Sequence, residues 1–127
     1  MSKYCKEVIV MKFEKSKLIE LKEKFDSIIN KEEKDNIEFW YARDLQIQLG
    51  YKRWENFIET IKKAMQSCEN AGIEVNNHFR EVTKMVQIGS GASRNLQDYM
   101  LTRYACYLIA QNGDSKKEEI AFAQTYF

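Results

Sequence analysis

The sequence predicts an α+β domain that is rich in helices and carries a small antiparallel sheet or hairpin. Apolar residues recur at three- and four-residue steps in several segments, which is the pattern of amphipathic helices. Two β-capable runs flank a glycine-rich turn, which predicts a hairpin. Proline is absent from all 127 residues. Because proline is excluded from helix interiors and central strands, its absence favours a helix-rich chain.

Composition limits the classes of protein to consider. The length of 127 residues suits one domain. Twenty basic and nineteen acidic residues give a net charge of +1, so nucleic-acid binding would need a local basic patch. The three cysteines show no paired spacing, which is typical of reduced thiols in a cytoplasm. No apolar run is long enough to span a bilayer. We therefore expect a cytoplasmic protein without membrane contact.

An N-terminal extension is predicted over residues 1–36, followed by a main domain over residues 37–127. Residues 14–31 are expected to form an amphipathic helix, and residues 4–13 fit either a helix or a strand. The helix could pack on the main domain, or it could face a partner and support a homo-oligomer. Its apolar stripe consists of Leu18, Leu21, Phe25 and Ile28.

A short strand and a helix-turn-helix-like pair are predicted next. Residues 37–41 are β-branched and aromatic, which favours a strand. Good helix formers fill residues 42–49, and Gly50 stands where a C-terminal cap is expected. A longer helix follows and closes at residues 70–72. Its apolar face consists of Trp54, Phe57, Ile58, Ile61, Met65 and Cys68.

The opposite face of this longer helix is the candidate DNA-reading surface. In helix-turn-helix proteins the N-terminal residues of the second helix enter the major groove. Arginine can read guanine there, and asparagine can read adenine. Glu55 and Glu59 lie beside this face and would repel phosphates, so an ordinary solvated helix face is an open alternative. The candidate residues are Lys52, Arg53, Asn56, Thr60 and Lys63.

The predicted hairpin turns at Gly-Ser-Gly, between the β-capable runs that include Val86 and Leu96. The loop over residues 89–94 could hold a phosphate through exposed backbone N–H groups, although a plain hairpin turn is the simpler explanation. Lys84 and Arg94 are candidate secondary phosphate contacts.

Two further helices are predicted after the hairpin. Thr102 is expected to cap a helix that runs through Asn112, with Gly113 as its terminator. The segment from Ser115 to Glu118 has the capping-box pattern and is expected to begin the last helix.

Few residues suggest catalysis. His78 is the single histidine, and no second histidine or cysteine lies at ligand spacing, so we expect no metal and no cofactor. Asp44, Asp98 and Asp114 are candidate carboxylates, but the helix dipole accounts for Asp44 and a turn accounts for Asp114 without catalysis. We expect the protein to act by binding and not as an enzyme.

Several blocks of the sequence resemble known families. The segment WYARDLQIQLGY, residues 40–51, resembles the start of the Bro-N domain of phage antirepressors and baculovirus repeated proteins. Residues 84–114 and 118–127 resemble the DNA-damage-inducible protein D family. The separate blocks occur in one order and together extend over about residues 37–127.

The resemblance implies a Bro-N-like α+β domain over residues 37–127. It also implies a bacterial, cytoplasmic regulator of the DNA-damage response, or one derived from a prophage, that associates with DNA. An alternative within the same resemblance is a module that binds a repressor or the recombination machinery without contacting DNA. Members of the family continue into a second, helical region, and we expect that region to be absent from this chain.

Overall fold

The computed structural model describes residues 15–89 and 91–127. Five helices and four strands form in these residues and build an α+β fold, which confirms the predicted fold class. The strands make one antiparallel sheet in the order β1-β2-β4-β3. In chain order the elements are α1 Lys15–Ser27, β1 Asn30–Lys31, β2 Glu38–Tyr41, α2 Ala42–Gln48, α3 Trp54–Asn70, a 3₁₀ turn Val75–Asn77, β3 Phe79–Gly89, β4 Ala92–Leu101, α4 Arg103–Gln111 and α5 Glu118–Tyr126.

The core lies between one face of the sheet and the helices. Trp40 pairs with Leu101, and Leu101 pairs in turn with Phe79, so that three neighbouring strands each supply a large buried side chain. Helices α3, α4 and α5 cover these residues with their apolar faces. The helical contribution includes Phe57, Ile61, Ala64, Ala105, Ile109, Ile120 and Ala123.

Helix α1 packs on this same core. Its Leu21 and Phe25 are buried, and the Phe25 ring contacts the rings of Phe122 and Tyr126 on α5. The helix ends earlier than the predicted residue 31 because Asn30 and Lys31 pair with strand β2. The apolar stripe of α1 therefore faces the domain. The predicted element at residues 4–13 lies outside the described residues.

The predicted helix-turn-helix-like pair is present as α2 and α3. Helix α2 ends just before Gly50, whose φ of +79° is the left-handed conformation that favours glycine at a helix C-terminus. Four residues later α3 begins at Trp54. The conformation of Gly50 lets the chain reverse sharply between the two helices.

The start of α4 was predicted correctly, and the start of α5 was not. The Thr102 hydroxyl accepts a hydrogen bond from the backbone N–H of Ala105 at 3.1 Å, which is the expected cap. Helix α5 begins only at Glu118, and Lys117 stands at its cap position without a side-chain cap. The predicted capping box at Ser115 is wrong. Instead, the Asp114 carboxylate accepts from the N–H of Lys116 at 3.0 Å and forms a turn.

Strands β3 and β4 form the predicted hairpin and extend well beyond the core. A register shift between Gln87 and Gly89 marks a bulge near the tip. Among the described residues of segment 83–97, none is buried. We call this segment the arm. Ser90, in the predicted phosphate-binding loop, lies outside the described residues.

None of the helices in ranges 15–89 and 91–127 is both long enough and apolar enough to cross a membrane.

The burial of α1 predicts how the chain responds to truncation of its side chains. Phe25→Ala should lower the free energy of unfolding by about 3–5 kcal/mol, since it leaves a cavity under a fully buried ring. Ile19→Ala, at an exposed position of the same helix, should change it by about 0.5 kcal/mol or less. Urea unfolding followed by circular dichroism measures both values. Equal, small effects would contradict the packing of α1 on the core.

Candidate nucleic-acid interface

A buried carboxylate lies at the base of the arm. The side chain of Asp98 is fully buried on strand β4. Its Oδ1 accepts hydrogen bonds from the backbone N–H groups of Arg43, at 3.0 Å, and Tyr99, at 2.8 Å. Its Oδ2 lies 2.8 Å from the Lys84 ammonium. A buried charge is costly unless it is paired and hydrogen-bonded, and these three contacts supply both conditions.

Asp98 also acts as a cap for helix α2 from a different part of the chain. The cap position of α2 is held by Tyr41, which makes no side-chain cap hydrogen bond. The first N–H groups of a helix need acceptors from outside the helix, and the helix dipole favours a negative charge at that end. The carboxylate of Asp98 meets both needs at Arg43. The β4 strand therefore fixes where α2 begins.

Lys84, a predicted secondary phosphate contact, forms an ion pair with the buried Asp98. Besides its ion pair with Asp98, its ammonium lies 3.4 Å from the centroid of the Tyr41 ring. Only 36% of its side chain is exposed. Because the Lys84 charge compensates a buried carboxylate, moving it to a phosphate would leave Asp98 unpaired.

Arg43 ties the arm to the start of α3. Its Nε donates to the backbone carbonyl of Gln97 at 2.9 Å, and its guanidinium lies 3.8 Å from the ring centroid of Trp54. Burial lowers the pKa of Arg43, the carboxylate of Asp98 opposes that effect, and the positive charge of Arg94 lowers the pKa further. Sequence reasoning missed Arg43, although it stands inside the recognised block of residues 40–51.

Four of the five residues predicted for the DNA-reading surface, two of which precede α3, are solvent-exposed and one is not. Lys52, Arg53, Asn56 and Lys63 are exposed. Thr60 is 8% exposed, and its hydroxyl shares a hydrogen bond with that of Tyr51 at 3.3 Å. The predicted exposure of Thr60 is wrong because position 60 lies three residues after Phe57 and four before Ala64, on the buried face.

The two faces of the β3–β4 hairpin, which includes the arm, carry different charge. Side chains alternate between the faces of a strand, and the ladder register places Lys84, Val86 and Arg94 on the same face as Arg80 and the buried Asp98. We call this face of the hairpin the basic face. The opposite face carries Glu81, whose carboxylate accepts from the Gln97 amide at 3.1 Å. Arg80 and Arg94 are exposed, and the sequence prediction included only Arg94 of these two.

The residues with catalytic potential are held by local structural contacts. His78 Nδ1 shares a hydrogen bond of 2.7 Å with the Thr102 hydroxyl, and the imidazole packs against the Tyr104 ring. Cys68 and Cys106 are buried as predicted, and burial raises the pKa of both thiols. In the part of the chain that the structure describes, no three His, Cys, Asp or Glu side chains are grouped so that they could hold a metal ion.

Comparison with known proteins assigns the family. The BRO family N-terminal domain, Bro-N, matches residues 27–127, and the chain belongs to this family. DNA damage-inducible protein D of Escherichia coli K12 is 50% identical to it over 90 residues. That alignment covers 71% of this chain and 33% of the relative, so the chain spans about a third of the relative's length. No solved structure matches the chain.

The buried carboxylate provides a test of the site's architecture. Asp98→Ala should lower the free energy of unfolding by about 3 kcal/mol, because it removes the α2 cap and leaves the Lys84 ammonium unpaired. Asn95→Ala removes an exposed side chain of similar size from the opposite face of the same strand and should change it by about 0.5 kcal/mol or less. Chemical unfolding compares the two. An Asp98 variant as stable as the Asn95 variant would contradict the role given to Asp98.

Proposed function

We propose that this chain is a DNA-binding module of a bacterial regulator of the DNA-damage response or of prophage origin. One observation carries the proposal: two exposed basic elements, the start of α3 and the basic face of the arm, are held together through Arg43. Its guanidinium stacks on Trp54 of α3 and bonds to Gln97 of β4. Because their relative position is fixed, the two basic elements together present DNA with a larger positively charged surface than either element alone.

Family membership supports the regulatory part of the proposal. Bro-N is the matching domain, and the relative from Escherichia coli is named for its induction by DNA damage. Under this proposal the module works in the cytoplasm by binding, without a cofactor and without catalysis. The net charge of +1 over the whole chain confines the attraction for DNA to the local surface.

The proposed DNA contacts are of two kinds: some read base edges, and others position the protein on the phosphates. Arg53 and Asn56 have the side chains that hydrogen-bond base edges in a major groove. Lys52, Lys63 and Arg94 provide positive charge for phosphates. A small number of phosphate contacts gives weak binding that depends steeply on salt. Thr60 and Lys84 are left out because the fold already uses both side chains.

The α3 surface is tested by a double substitution. Arg53→Ala with Lys63→Ala should weaken DNA binding by roughly ten-fold or more, because it removes one base-reading and one phosphate-contacting side chain, and it should reduce the salt slope by about one unit for the lost Lys63 phosphate contact. Fluorescence anisotropy with labelled duplex and single-stranded oligonucleotides across a salt series measures both. The matched control is Lys34→Ala with Lys116→Ala, which removes the same charge from two exposed positions elsewhere. If both double variants lose equal affinity, the α3 surface has no special role.

A second candidate is a protein-interaction module that acts on a repressor or on recombination machinery. Ile47 on α2 is 72% exposed, and it borders a depression that Leu21, Lys17 and Glu119 also line. A half-apolar depression with charged borders suits a protein partner, or a second copy of the chain docking beside α1. Failure of the chain to bind any oligonucleotide at low salt would favour this candidate. Sedimentation equilibrium of the wild type and of Ile47→Ser would then test the second-copy form.

A further inference from the structure

We propose that the arm is a DNA-binding ribbon that enters the groove of duplex DNA with its basic face toward the phosphates. The inference rests on the proposed function and deepens it. It assigns the arm to the groove of duplex DNA and predicts that only one face of the arm contacts the phosphates.

The arm is a surface that the domain itself does not need for its core. None of the described residues of segment 83–97 is buried. Met85 is 73% exposed and Ile88 is 58% exposed, so two large apolar side chains lie in solvent close to the tip. A two-stranded hairpin is marginally stable by itself. A long hairpin that extends beyond the core and exposes apolar side chains has the character of a binding element.

The dimensions of the arm fit the major groove. The groove of B-form DNA is about 12 Å wide and about 8.5 Å deep, and it admits a two-stranded β-ribbon. Strand β3 continues from Lys84 to Gly89, and six residues of an extended strand span about 20 Å. The ribbon is therefore long enough to reach the floor of the groove while its base remains outside. The bulge between Gln87 and Gly89 adds local twist.

The charge of the arm favours one orientation. Arg80 and Arg94 are exposed on the basic face and lie roughly 20 Å apart along the hairpin, far enough to contact different phosphates. Lys84 lies between them and neutralises the buried carboxylate of Asp98, so the acidic group on this face does not cancel the two arginines. The opposite face carries Glu81 and no compensating cation among the described residues of the hairpin strands.

The base of the arm is held in place, which suits a ribbon that must be presented to a ligand at a fixed angle. Asp98 joins the hairpin to α2, and Arg43 joins it to α3. Under the proposal, α3 and the arm contact the same duplex, and neither element needs to be ordered when DNA binds. Preorganisation of this kind lowers the entropic cost of binding.

Two neighbouring residues on opposite faces of β4 provide a matched test. Arg94→Gln removes a positive charge from the basic face, whereas Asn95→Asp adds a negative charge to the opposite face. Both changes alter the net charge of the chain by the same amount, and both positions are exposed, so neither should disturb the fold. Thermal unfolding of the two variants checks that expectation.

The measurement is anisotropy of the whole chain with a labelled duplex over a salt series. We expect Arg94→Gln to weaken binding roughly five-fold and to lower the salt slope by about one unit. Asn95→Asp should weaken binding less than two-fold. We also expect the wild type to prefer duplex over single-stranded DNA of the same length, because the groove exists only in the duplex.

Other outcomes overturn the inference, and they separate it from the proposed function. Equal weakening by both variants would mean that the arm acts through charge alone, without a preferred face. Wild-type affinity in both variants, with binding lost in the Arg53 and Lys63 double variant, would leave α3 as the DNA-binding element and the arm without a role. A preference for single strands would exclude the groove. No binding by the wild type would overturn both proposals and favour a protein partner for the arm.

Discussion

The carboxylate of Asp98 is buried where strand β4 passes the N-terminus of α2, and its two oxygens contact α2, β3 and the next residue of β4. Desolvating a carboxylate costs several kcal/mol, and the cost is offset only when hydrogen bonds and an opposite charge are both in place. Here they come from the backbone of Arg43, the backbone of Tyr99 and the ammonium of Lys84. The positions of α2, β3 and β4 are consequently coupled, because each element provides part of the environment of one charge.

This constraint also decides which basic residues are available to a ligand. Lys84 neutralises Asp98 and packs on the Tyr41 ring, and Arg43 is held by Gln97 and Trp54. Near this network, the exposed cations lie at its edges, at the start of α3 and on the basic face of the arm. A chain with a net charge of +1 gains a local basic surface in this way. Asp98 is buried in its pair and Glu81 lies on the opposite face of the hairpin, whereas Glu55 is exposed beside Arg53 at the start of α3.

Helix α1 stabilises the fold separately from the Asp98 network, by packing on the core and on α5. Its Phe25 ring is fully buried and contacts the rings of Phe122, Tyr126 and Phe127, so α1 is part of the same hydrophobic core. The Tyr126 hydroxyl donates a hydrogen bond to Asp26, which connects α1 to α5 a second time. This contact lowers the pKa of Asp26 after the larger effect of Lys22, and it raises the pKa of Tyr126 after the larger effect of burial. The Bro-N match begins at residue 27, just after the buried part of α1.

The sequence by itself determined the elements whose signals are local. The turn at Gly50, the cap at Thr102 and the apolar periodicity of α3 each depend on residues within one or two helical turns, and the structure contains all three features. The same local reasoning was wrong for Thr60, since the width of a buried helix face depends on which neighbours cover it. It was also wrong for the start of α5, where the Asp114 turn replaced the capping box.

Only the tertiary structure decided how the candidate surface is built. Asp98 and Arg43 are 55 residues apart in the chain, and no pattern within either segment indicates that one caps the helix of the other. In the sequence, nothing distinguishes Lys84 from an exposed strand lysine. The strand pairing in the folded domain is what places it beside Asp98. Hydrophobic periodicity and caps are properties of contiguous residues. The pairing of a buried charge depends on which distant segments meet, because its free energy comes from a low-dielectric environment that exists only after the chain has folded.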